Sequence, residues 1–455
     1  MIRLLRLALL TCLVAACVPA AGLAAPRMWL GFQDDASLRF RADREFMLDR
    51  AKNANATVVT ASVEWSRVAP SRPGRAANPF DPAYRLENID ELVREAQVRG
   101  LEVMLRISST PTWAGPARNR LPRRLSDLTA FSTALAARYS GRFPGYPFVR
   151  FYAVWNEPNL NQFLSPQFDS RGRSVAPRNY ARLYAAAYAG LKRGNRAALV
   201  GLGETSARGR DRRVRGLQDT HSPGRFLQLV AQANPRLRFD AIGHHPYPTD
   251  PRQRPEQVVR WPNVSLRAIP RLRASAQRWF RRSNIRIWIT EYGHETVPDR
   301  RGVSYETQAD YLRRAIGMAR AQAFTDMFIW FGLHDDQGNP WQSGLIAEDH
   351  TVKPSYYLFA QLAHPLDPRN ALVVVRAGRP NPVIRLSALE IASESPPGAR
   401  IGVDLRVVQG DSMVAHPQPE VRLGADGWVT VPVAFTPVAG RIYYVYATLN
   451  DIHGN

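Results

Sequence analysis

The chain has 455 residues, of which 45% are hydrophobic and 22% are charged. This length suits one large domain with a smaller one, and the composition is typical of a globular protein rather than a disordered or fibrous one. The formal net charge is +22, but only three residues are lysine and the arginines are scattered, mostly over polar helix faces. This pattern argues against a nucleic-acid-binding protein, whose cations cluster on one face.

The first 25 residues have the pattern of a signal peptide. Arg3 and Arg6 precede an apolar run over 7–18, which is too short to span a bilayer, and small residues follow up to Ala25. Within this run, Val14-Ala15-Ala16-Cys17 resembles a bacterial lipoprotein box, so Cys17 is a candidate lipid acceptor. We therefore expect a secreted or extracytoplasmic protein, either released or anchored by a lipid.

The two cysteines, Cys12 and Cys17, both lie in this N-terminal segment. The mature chain should therefore contain no internal disulfide, despite its predicted export. No later stretch has the length of an apolar transmembrane helix. We expect a monomer whose membrane contact is limited to a lipid on Cys17.

From residue 26 to residue 366, short apolar runs alternate with amphipathic helical patterns. The predicted strands are Met28–Gln33, Thr57–Val63, Glu102–Ile107, Val149–Trp155, Leu199–Gly203, Phe239–Gly243, Arg286–Thr290 and Asp326–Phe331. The predicted helices include Asn88–Arg99, Leu125–Tyr139, Asn179–Arg193, Arg225–Ala233, Leu266–Phe280, Thr307–Ala321 and a closing helix, Ser355–Leu362. Eight such alternations predict an α/β fold, the (β/α)8 TIM barrel.

Residues 367–455 have a different composition. Strand-like runs are separated by Gly, Pro and Asp turns, at Leu372–Val375, Val383–Leu386, Ile401–Val408, Trp428–Phe435 and Ile442–Leu449. About a hundred residues of this kind predict a small β-sandwich. It contains no catalytic constellation, so we expect a packing role in preference to carbohydrate binding.

Polar residues and tryptophans follow the predicted strands, where a barrel of this type places its functional groups. They include Asp34, Asp35, Glu64, Trp65, Arg67, Arg106, Ser108, Trp113, Asn156, Glu157, Glu204, His244, His245, Tyr247, Glu291, Tyr292, Trp330, His334, Asp335 and Asp336. Indole faces stack on the C–H faces of sugars, while carboxylates and amides bind sugar hydroxyls. The rim is therefore predicted to form a sugar-binding cleft.

Two apolar strands end in glutamate, within Tyr152-Ala153-Val154-Trp155-Asn156-Glu157-Pro158 and Ile287-Trp288-Ile289-Thr290-Glu291-Tyr292-Gly293. Over Met28–Leu362 the sequence resembles glycoside hydrolase clan A, of the cellulase-like family 5 or xylosidase-like family 39 type. The resemblance implies that Glu157 on the fourth strand is the acid/base and Glu291 on the seventh is the nucleophile. A retaining mechanism requires these two carboxyls about 5 Å apart.

The substrate-binding candidates are Asn156, Arg67, His245, Tyr247, Trp330 and Asp34. Arg67, in Glu64-Trp65-Ser66-Arg67, resembles the clan's second-strand arginine and is expected beside the nucleophile. His245-Pro246-Tyr247 resembles the His-x-Tyr of family 5, and Trp330 is expected to form the floor under the reacting sugar. Asn156 is placed to bind the sugar 2-hydroxyl.

The histidines near the rim show no tight ligand spacing, so neither a metal nor another cofactor is expected. Two functions remain. The first is a retaining glycosidase that cleaves O-glycosidic bonds, expected to be β-linked, in an oligosaccharide or polysaccharide. The alternative is a catalytically inactive barrel that binds cell-surface glycans, and the presence of both Glu157 and Glu291 favours the enzyme. A transglycosylase would use the same pair, and the sequence also leaves the sugar and the endo or exo mode of attack open.

Overall fold

The computed structural model describes residues 28–336, 338, 341–363, 390–392, 400–409, 412–416, 418–422, 428–430 and 444–451. Eight parallel strands close into a barrel in chain order, with the eighth paired to the first. Their bounds are β1 Trp29–Gln33, β2 Val58–Glu64, β3 Glu102–Ser108, β4 Phe151–Val154, β5 Leu199–Ser206, β6 Ala241–His245, β7 Arg286–Tyr292 and β8 Thr325–Phe331. The predicted TIM barrel is confirmed.

Helices cover the outside of the barrel. They are α1 Arg44–Asn53, α2 Trp65–Val68, α3 Glu87–Val98, α4 Leu125–Arg138, α5 Ala176–Gly194, α6 Pro223–Ala233, α7 Ile269–Phe280, α8 Tyr305–Arg320 and α9 Pro354–Ala363. Helix α8 begins two residues before its predicted start because the Ser304 side chain accepts a hydrogen bond from the Thr307 N–H and caps it. The predicted start of α7 at Leu266 is a short 3₁₀ turn, Leu266–Ala268, that precedes the helix.

Alternate residues of each strand point into the barrel or toward the helices, as the two-residue period of a strand requires. The inward residues at the lower level form a compact apolar cluster, Val58, Met104, Phe151, Ala153, Ala241, Trp288, Met327 and Ile329. The intervening residues of the same strands, such as Phe328 and Trp330 of β8, belong to the larger core between strands and helices.

Two irregularities interrupt this alternation near the carboxyl ends of strands. Glu204 is an extra residue in β5 relative to β6, because Gly203 pairs with Gly243 and Thr205 pairs with His244. Strand β7 has one more residue than β8 between Ile289 and Tyr292, which pair with Phe328 and Trp330. Bulges of this kind redirect a side chain, and here they turn Glu204 and Glu291 toward the barrel axis.

The C-terminal region contains small antiparallel sheets, as expected for an all-β segment. Strand β10 (Arg400–Gln409) pairs with β11 (Ser412–Ala415), β12 (Glu420–Arg422) and β14 (Tyr444–Asp451), while β9 (Glu390–Ala392) pairs with β13 (Trp428–Thr430). The predicted strands Leu372–Val375 and Val383–Leu386, the boundary at residue 366 and the N-terminal signal segment lie outside the described residues. In the part of the chain that is described, no helix has the length and apolarity needed to cross a membrane.

Candidate active site

A cleft of about 700 Å³ opens at the carboxyl ends of the barrel strands. Its lining comes from the loops after most of the strands and includes Gln33, Ser62, Glu64, Arg106, Ser108, Arg118, Asn119, Trp155, Asn156, Glu157, Gln162, Phe163, Arg208, Tyr247, Thr249, Glu291, Arg301, Phe331 and Trp341. Both glutamates of the two strand-end motifs therefore lie in one cavity at the rim.

Glu157 follows β4 on a strained segment. Trp155 and Glu157 have φ angles of 75° and 37°, in the left-handed region that non-glycine residues seldom occupy. Two hydrogen bonds hold this turn, from the Glu157 N–H to the Glu204 carbonyl (2.9 Å) and from the Trp155 indole to the Phe163 carbonyl (2.6 Å). Strain held in this way is common at functional sites, and here it fixes the direction of the Glu157 carboxyl.

Glu291 is buried and accepts hydrogen bonds from two side chains. The Arg106 guanidinium donates to Oε1 and the Tyr247 hydroxyl lies 3.3 Å from Oε2. Burial acts to raise the pKa of Glu291, but the positive charges of His245 and Arg106 outweigh it, and the pKa lies below its usual value. Glu291 is therefore a carboxylate at neutral pH.

His245 lies between three carboxyl groups. Its Nδ1 is 3.1 Å from Glu157 Oε1 and 3.4 Å from Glu291 Oε2, while its Nε2 is 3.5 Å from Glu204 Oε2. Burial alone would lower the pKa of His245, but the surrounding acids, Glu291 foremost, raise it to about 9. The imidazole is thus a cation at neutral pH.

The side chains of Glu157, Glu291 and His245 lie close together. One carboxylate oxygen of Glu157, one of Glu291 and one ring nitrogen of His245 all lie within 4.8 Å of one another. Such a set has the dimensions of a metal site, but a protonated imidazole has no free lone pair to offer a cation. The electrostatics therefore favour a site in which His245 itself supplies the positive charge.

Glu204, to which the sequence assigned no definite role, completes the cluster from below. It is fully buried, 3.6 Å from Arg106 Nε, and neither of its carboxylate oxygens has a hydrogen-bond partner among the described residues. A Cβ at Gly243 would stand 1.6 Å from Glu204 Oε1, so the absence of a side chain there makes room for the carboxylate. The sequence signal for this pair was a glutamate and a glycine at neighbouring strand ends, which is too common to be specific.

The structure corrects the expected position of Arg67. Its side chain is 66% exposed and pairs with Glu64 at 3.0 Å, because it lies on α2, beyond the end of the strand. Arg106, inside β3, is the arginine that contacts Glu291. It also donates to Gln33 Oε1 and, at 2.9 Å, to the side-chain oxygen of Asn156. A charged residue within an apolar strand was the signal that could have identified it.

The structure also corrects the expected position of Trp330. This side chain is completely buried on the helix-facing side of β8, and its indole donates to the Ser343 carbonyl at 2.7 Å, so it cannot stack on a sugar. Its neighbour Phe331 lines the cleft instead, as does Trp341 from the following loop. Trp341 packs edge-to-face on Tyr247, with ring centroids 5.2 Å apart.

Asp34 is the third candidate that lies outside the cleft. It is buried and accepts hydrogen bonds from the backbone N–H groups of Ser37, Leu333 and His334. Burial raises the pKa of Asp34, while these donors act to lower it. It therefore holds loops together, and Gln33, one residue earlier in β1, is the residue that faces the barrel axis. The remaining candidates Asn156, His245 and Tyr247 are brought together with both glutamates.

Residues 35–331 match the family model described as Cellulase (glycosyl hydrolase family 5). The chain belongs to this glycosyl hydrolase family, within clan A, and is a glycosidase that acts on a carbohydrate. No curated protein matches the sequence.

Solved structures with a similar fold are glycosidases of low sequence identity. A glucosidase from Croceicoccus marinus is 16% identical, with a TM-score of 0.59 over 93% of this chain and 96% of that one. A family 39 glycoside hydrolase from Bacteroides cellulosilyticus WH2 is 17% identical, with a TM-score of 0.57 over 93% and 81%. A monomeric beta-xylosidase from Caulobacter crescentus CB15 is 14% identical, with a TM-score of 0.54 over 93% and 96%. At these identities the similarity concerns the fold.

Proposed function

We propose that the protein is a retaining glycoside hydrolase that cleaves β-linked O-glycosidic bonds by double displacement, with Glu157 as acid/base and Glu291 as nucleophile. The observation that supports this most is the separation of the two carboxyls, which lie within 4.8 Å at one pair of oxygens. Retaining enzymes place their carboxyls about 5 Å apart, whereas inverting enzymes leave roughly 6.5–9.5 Å for a water molecule.

In the first step, the ionised Glu291 attacks the anomeric carbon and forms a glycosyl ester. The bond to the leaving oxygen breaks, and Glu157 donates its proton to that oxygen. Arg106 and Tyr247 hold the Glu291 carboxylate in one orientation through their hydrogen bonds. Because the carboxylate is already oriented for attack, less conformational entropy is lost on reaching the transition state, which lowers the activation free energy of this step.

In the second step, Glu157 is a carboxylate and removes a proton from a water molecule. The water oxygen attacks the anomeric carbon from the face that the leaving group vacated, and Glu291 leaves as a carboxylate. His245, cationic and 3.1 Å from Glu157, is positioned to stabilise the negative charge on Glu157 before it accepts the proton. The sugar is released with its original anomeric configuration.

Substrate contacts are proposed for the groups around this pair. Asn156 is held by the Arg106 guanidinium through its side-chain oxygen, which leaves its amide N–H donors for the sugar 2-hydroxyl. Phe331 and Trp341 contribute the aromatic surface of the cleft, the role first expected of Trp330. Stacking on such rings favours the apolar faces of a pyranose.

The proposal is tested with Glu157→Ala on a panel of aryl β-glycosides whose leaving groups differ in pKa. We expect kcat/KM to fall by about 10³-fold for poor leaving groups and much less for good ones, which need no proton. Sodium azide should restore turnover with the good leaving groups, because the small anion enters the space of the missing carboxylate. Glu87→Ala, at an exposed position on α3, is the matched control.

Glu157→Ala with unchanged activity on poor leaving groups, or without azide rescue, would contradict the assignment. Binding of glycans without turnover by the wild-type protein on the whole panel would support the inactive, glycan-binding barrel instead.

We also propose that the protein is exported, that its export signal lies within residues 1–25, and that it is anchored by a lipid on Cys17. This rests on the N-terminal sequence pattern alone. Labelled palmitate should be incorporated by the wild type and by Cys12→Ala but not by Cys17→Ala when the chain is expressed in a bacterial host. Equal labelling of both variants would contradict lipidation at Cys17.

A further inference from the structure

Arginine side chains line the cleft away from the Arg106–Glu291 pair. Arg118, Arg208 and Arg301 lie on the loops after β3, β5 and β7, so they are distributed around the rim. Arg301 has a distant partner, Glu295, at 3.7 Å. For the exposed guanidinium groups of Arg118 and Arg208, the described part of the chain provides neither an ion pair nor a hydrogen bond.

Among the described residues, no carboxyl group that lines the cleft is within ion-pair distance of these two arginines, and each one lies closer to another cationic side chain. The pairs are Glu64 with Arg67 at 3.0 Å, Glu157 with His245 at 3.1 Å, and Glu291 with Arg106. The two buried cations, Arg106 and His245, are shared with Glu204 below the cleft, so the positive charge of Arg118 and Arg208 lies at the rim of a cavity that must admit the substrate.

The position of Arg208 relates this charge to the reaction site. The loop that carries it starts at Ala207, directly after β5, and its guanidinium lines the same cleft as Glu157, close enough for the two charges to interact. Glu157 faces the glycosidic oxygen in the proposed mechanism, so Arg208 is placed near sugar units that flank the scissile bond. Arg118, with its neighbour Asn119, approaches the cleft from the β3 loop.

A guanidinium without a protein partner provides paired, parallel N–H donors that match the oxygens of a carboxylate or a sulfate. We propose that the cleft binds an anionic glycan and that Arg118 and Arg208 bind carboxylate or sulfate groups on sugars next to the cleaved bond. The inference rests on the proposed glycosidase function and names its substrate class. The net charge of +22 would also attract such a polymer from a distance.

The test compares anionic and neutral β-linked polymers as matched pairs. Poly-β-mannuronate is paired with its carboxyl-reduced form, and cellulose sulfate is paired with hydroxyethyl cellulose. Binding is measured at physiological salt with the full chain carrying Glu157→Gln, which slows hydrolysis so that the probes stay intact during the measurement. Arg118→Gln and Arg208→Gln are then added singly and together. Arg178→Gln, on the exposed face of α5, removes the same charge outside the cleft.

We expect at least one anionic probe to bind more tightly than its neutral counterpart, and which pair does so distinguishes carboxylate from sulfate recognition. Each cleft substitution should weaken that binding by about tenfold, as expected for the loss of a charge-assisted contact, whereas Arg178→Gln should leave it unchanged. Equal binding within both pairs would overturn the inference, and so would an equal loss in Arg178→Gln, which would indicate a general surface attraction.

The azide rescue of Glu157→Ala on aryl glycosides is a separate readout for the glycosidase function. Rescue together with equal binding of anionic and neutral polymers would overturn the substrate class alone. Anionic preference without rescue would contradict the proposed mechanism and leave a cleft that binds anionic glycans.

Discussion

Two layers of side chains lie one above the other inside the barrel, and they are buried to a similar degree but have opposite chemistry. The lower layer is apolar and well packed; Phe151 and Trp288, for example, meet edge-to-face with ring centroids 5.5 Å apart. The upper layer consists of Arg106, Glu204, His245 and Glu291, each no more than 7% exposed.

The difference between the layers shows how stability and activity are separated in this barrel. Apolar burial in the lower layer contributes directly to folding. Buried ion pairs contribute little or nothing relative to packed apolar groups, because the desolvation of each charge opposes the attraction. Unsatisfied atoms at Glu204 and His245 add to that cost. The charged layer is therefore best explained by a role in the reaction. Substitutions in the charged layer should change kcat/KM, and substitutions in the apolar layer should change the free energy of unfolding.

The largest effect is expected in the charged layer. Glu291→Gln keeps the shape of the side chain but removes the carboxylate that we propose as the nucleophile, so kcat/KM on the best aryl glycoside should fall by about 10⁴-fold. The melting temperature should stay within a few degrees of the wild type, because Arg106 and His245 keep Glu204 as an acidic partner when Glu291 becomes neutral. Glu87→Gln is the control, and a Glu291→Gln enzyme with near wild-type turnover would show that Glu291 is not the nucleophile.

The apolar layer should respond in the opposite way. Trp288→Ala leaves a cavity below the site and should lower the free energy of unfolding by about 3–5 kcal/mol, measured by urea denaturation. The fraction that remains folded should keep a KM close to that of the wild type. Val98→Ala truncates an apolar side chain that is 81% exposed and should change stability by no more than about 0.5 kcal/mol. A KM of the folded Trp288→Ala protein that is clearly higher than that of the wild type would contradict the separation of the layers.

A substitution of Glu204 tests whether this buried carboxylate affects the reaction through His245. Glu204→Gln removes one of the three acids that raise the pKa of His245, so His245 should lose its proton, and with it the charge that stabilises the Glu157 carboxylate, at lower pH. The fall in rate that accompanies this loss should therefore move to lower pH. We expect kcat to fall by about tenfold, a typical effect of a group that positions another. A lower kcat with an unmoved pH profile would indicate a purely structural role for Glu204.

The smallest expected effect is the change of the melting temperature with pH that results from the titration of His245. His245 has a pKa of about 9 in the folded chain and an ordinary value of 6.5. Its contribution is fully present below pH 6.5 and is lost as the pH rises through 9. The melting temperature of wild type should therefore decrease over this range, and His245→Gln should reduce the decrease. His221→Gln should not, because burial lowers the pKa of His221 to about 4, so it is neutral throughout.

The sequence pattern was sufficient for the barrel and for both glutamates. An apolar run that ends in a polar residue is typical of a buried parallel strand, so Glu157 and Glu291 could be located at the carboxyl ends of the fourth and seventh strands. The β7 bulge that turns Glu291 inward leaves no such trace, because it depends on the pairing of β7 with β8.

Two of the misplaced side chains, Asp34 and Trp330, share one physical cause. Gln33 and Asp34, like Trp330 and Phe331, are neighbours in sequence but point to opposite sides of a strand, and composition does not show which side faces the axis. Arg67 was expected beside the nucleophile because its segment resembles the clan's second-strand segment, but α2 begins there and carries Arg67 to the surface. Gly243 leaves room for the Glu204 carboxylate only because β5 and β6 are adjacent in the barrel, and the sequence alone does not show this contact.

The most direct test of the retaining pair is the anomeric form of the first product. An aryl β-glycoside that the enzyme hydrolyses is followed by proton NMR in the first minutes, before mutarotation mixes the anomers. The proposed roles of Glu157 and Glu291 predict that the β anomer of the sugar appears first. Initial release of the α anomer would show inversion and contradict the double displacement.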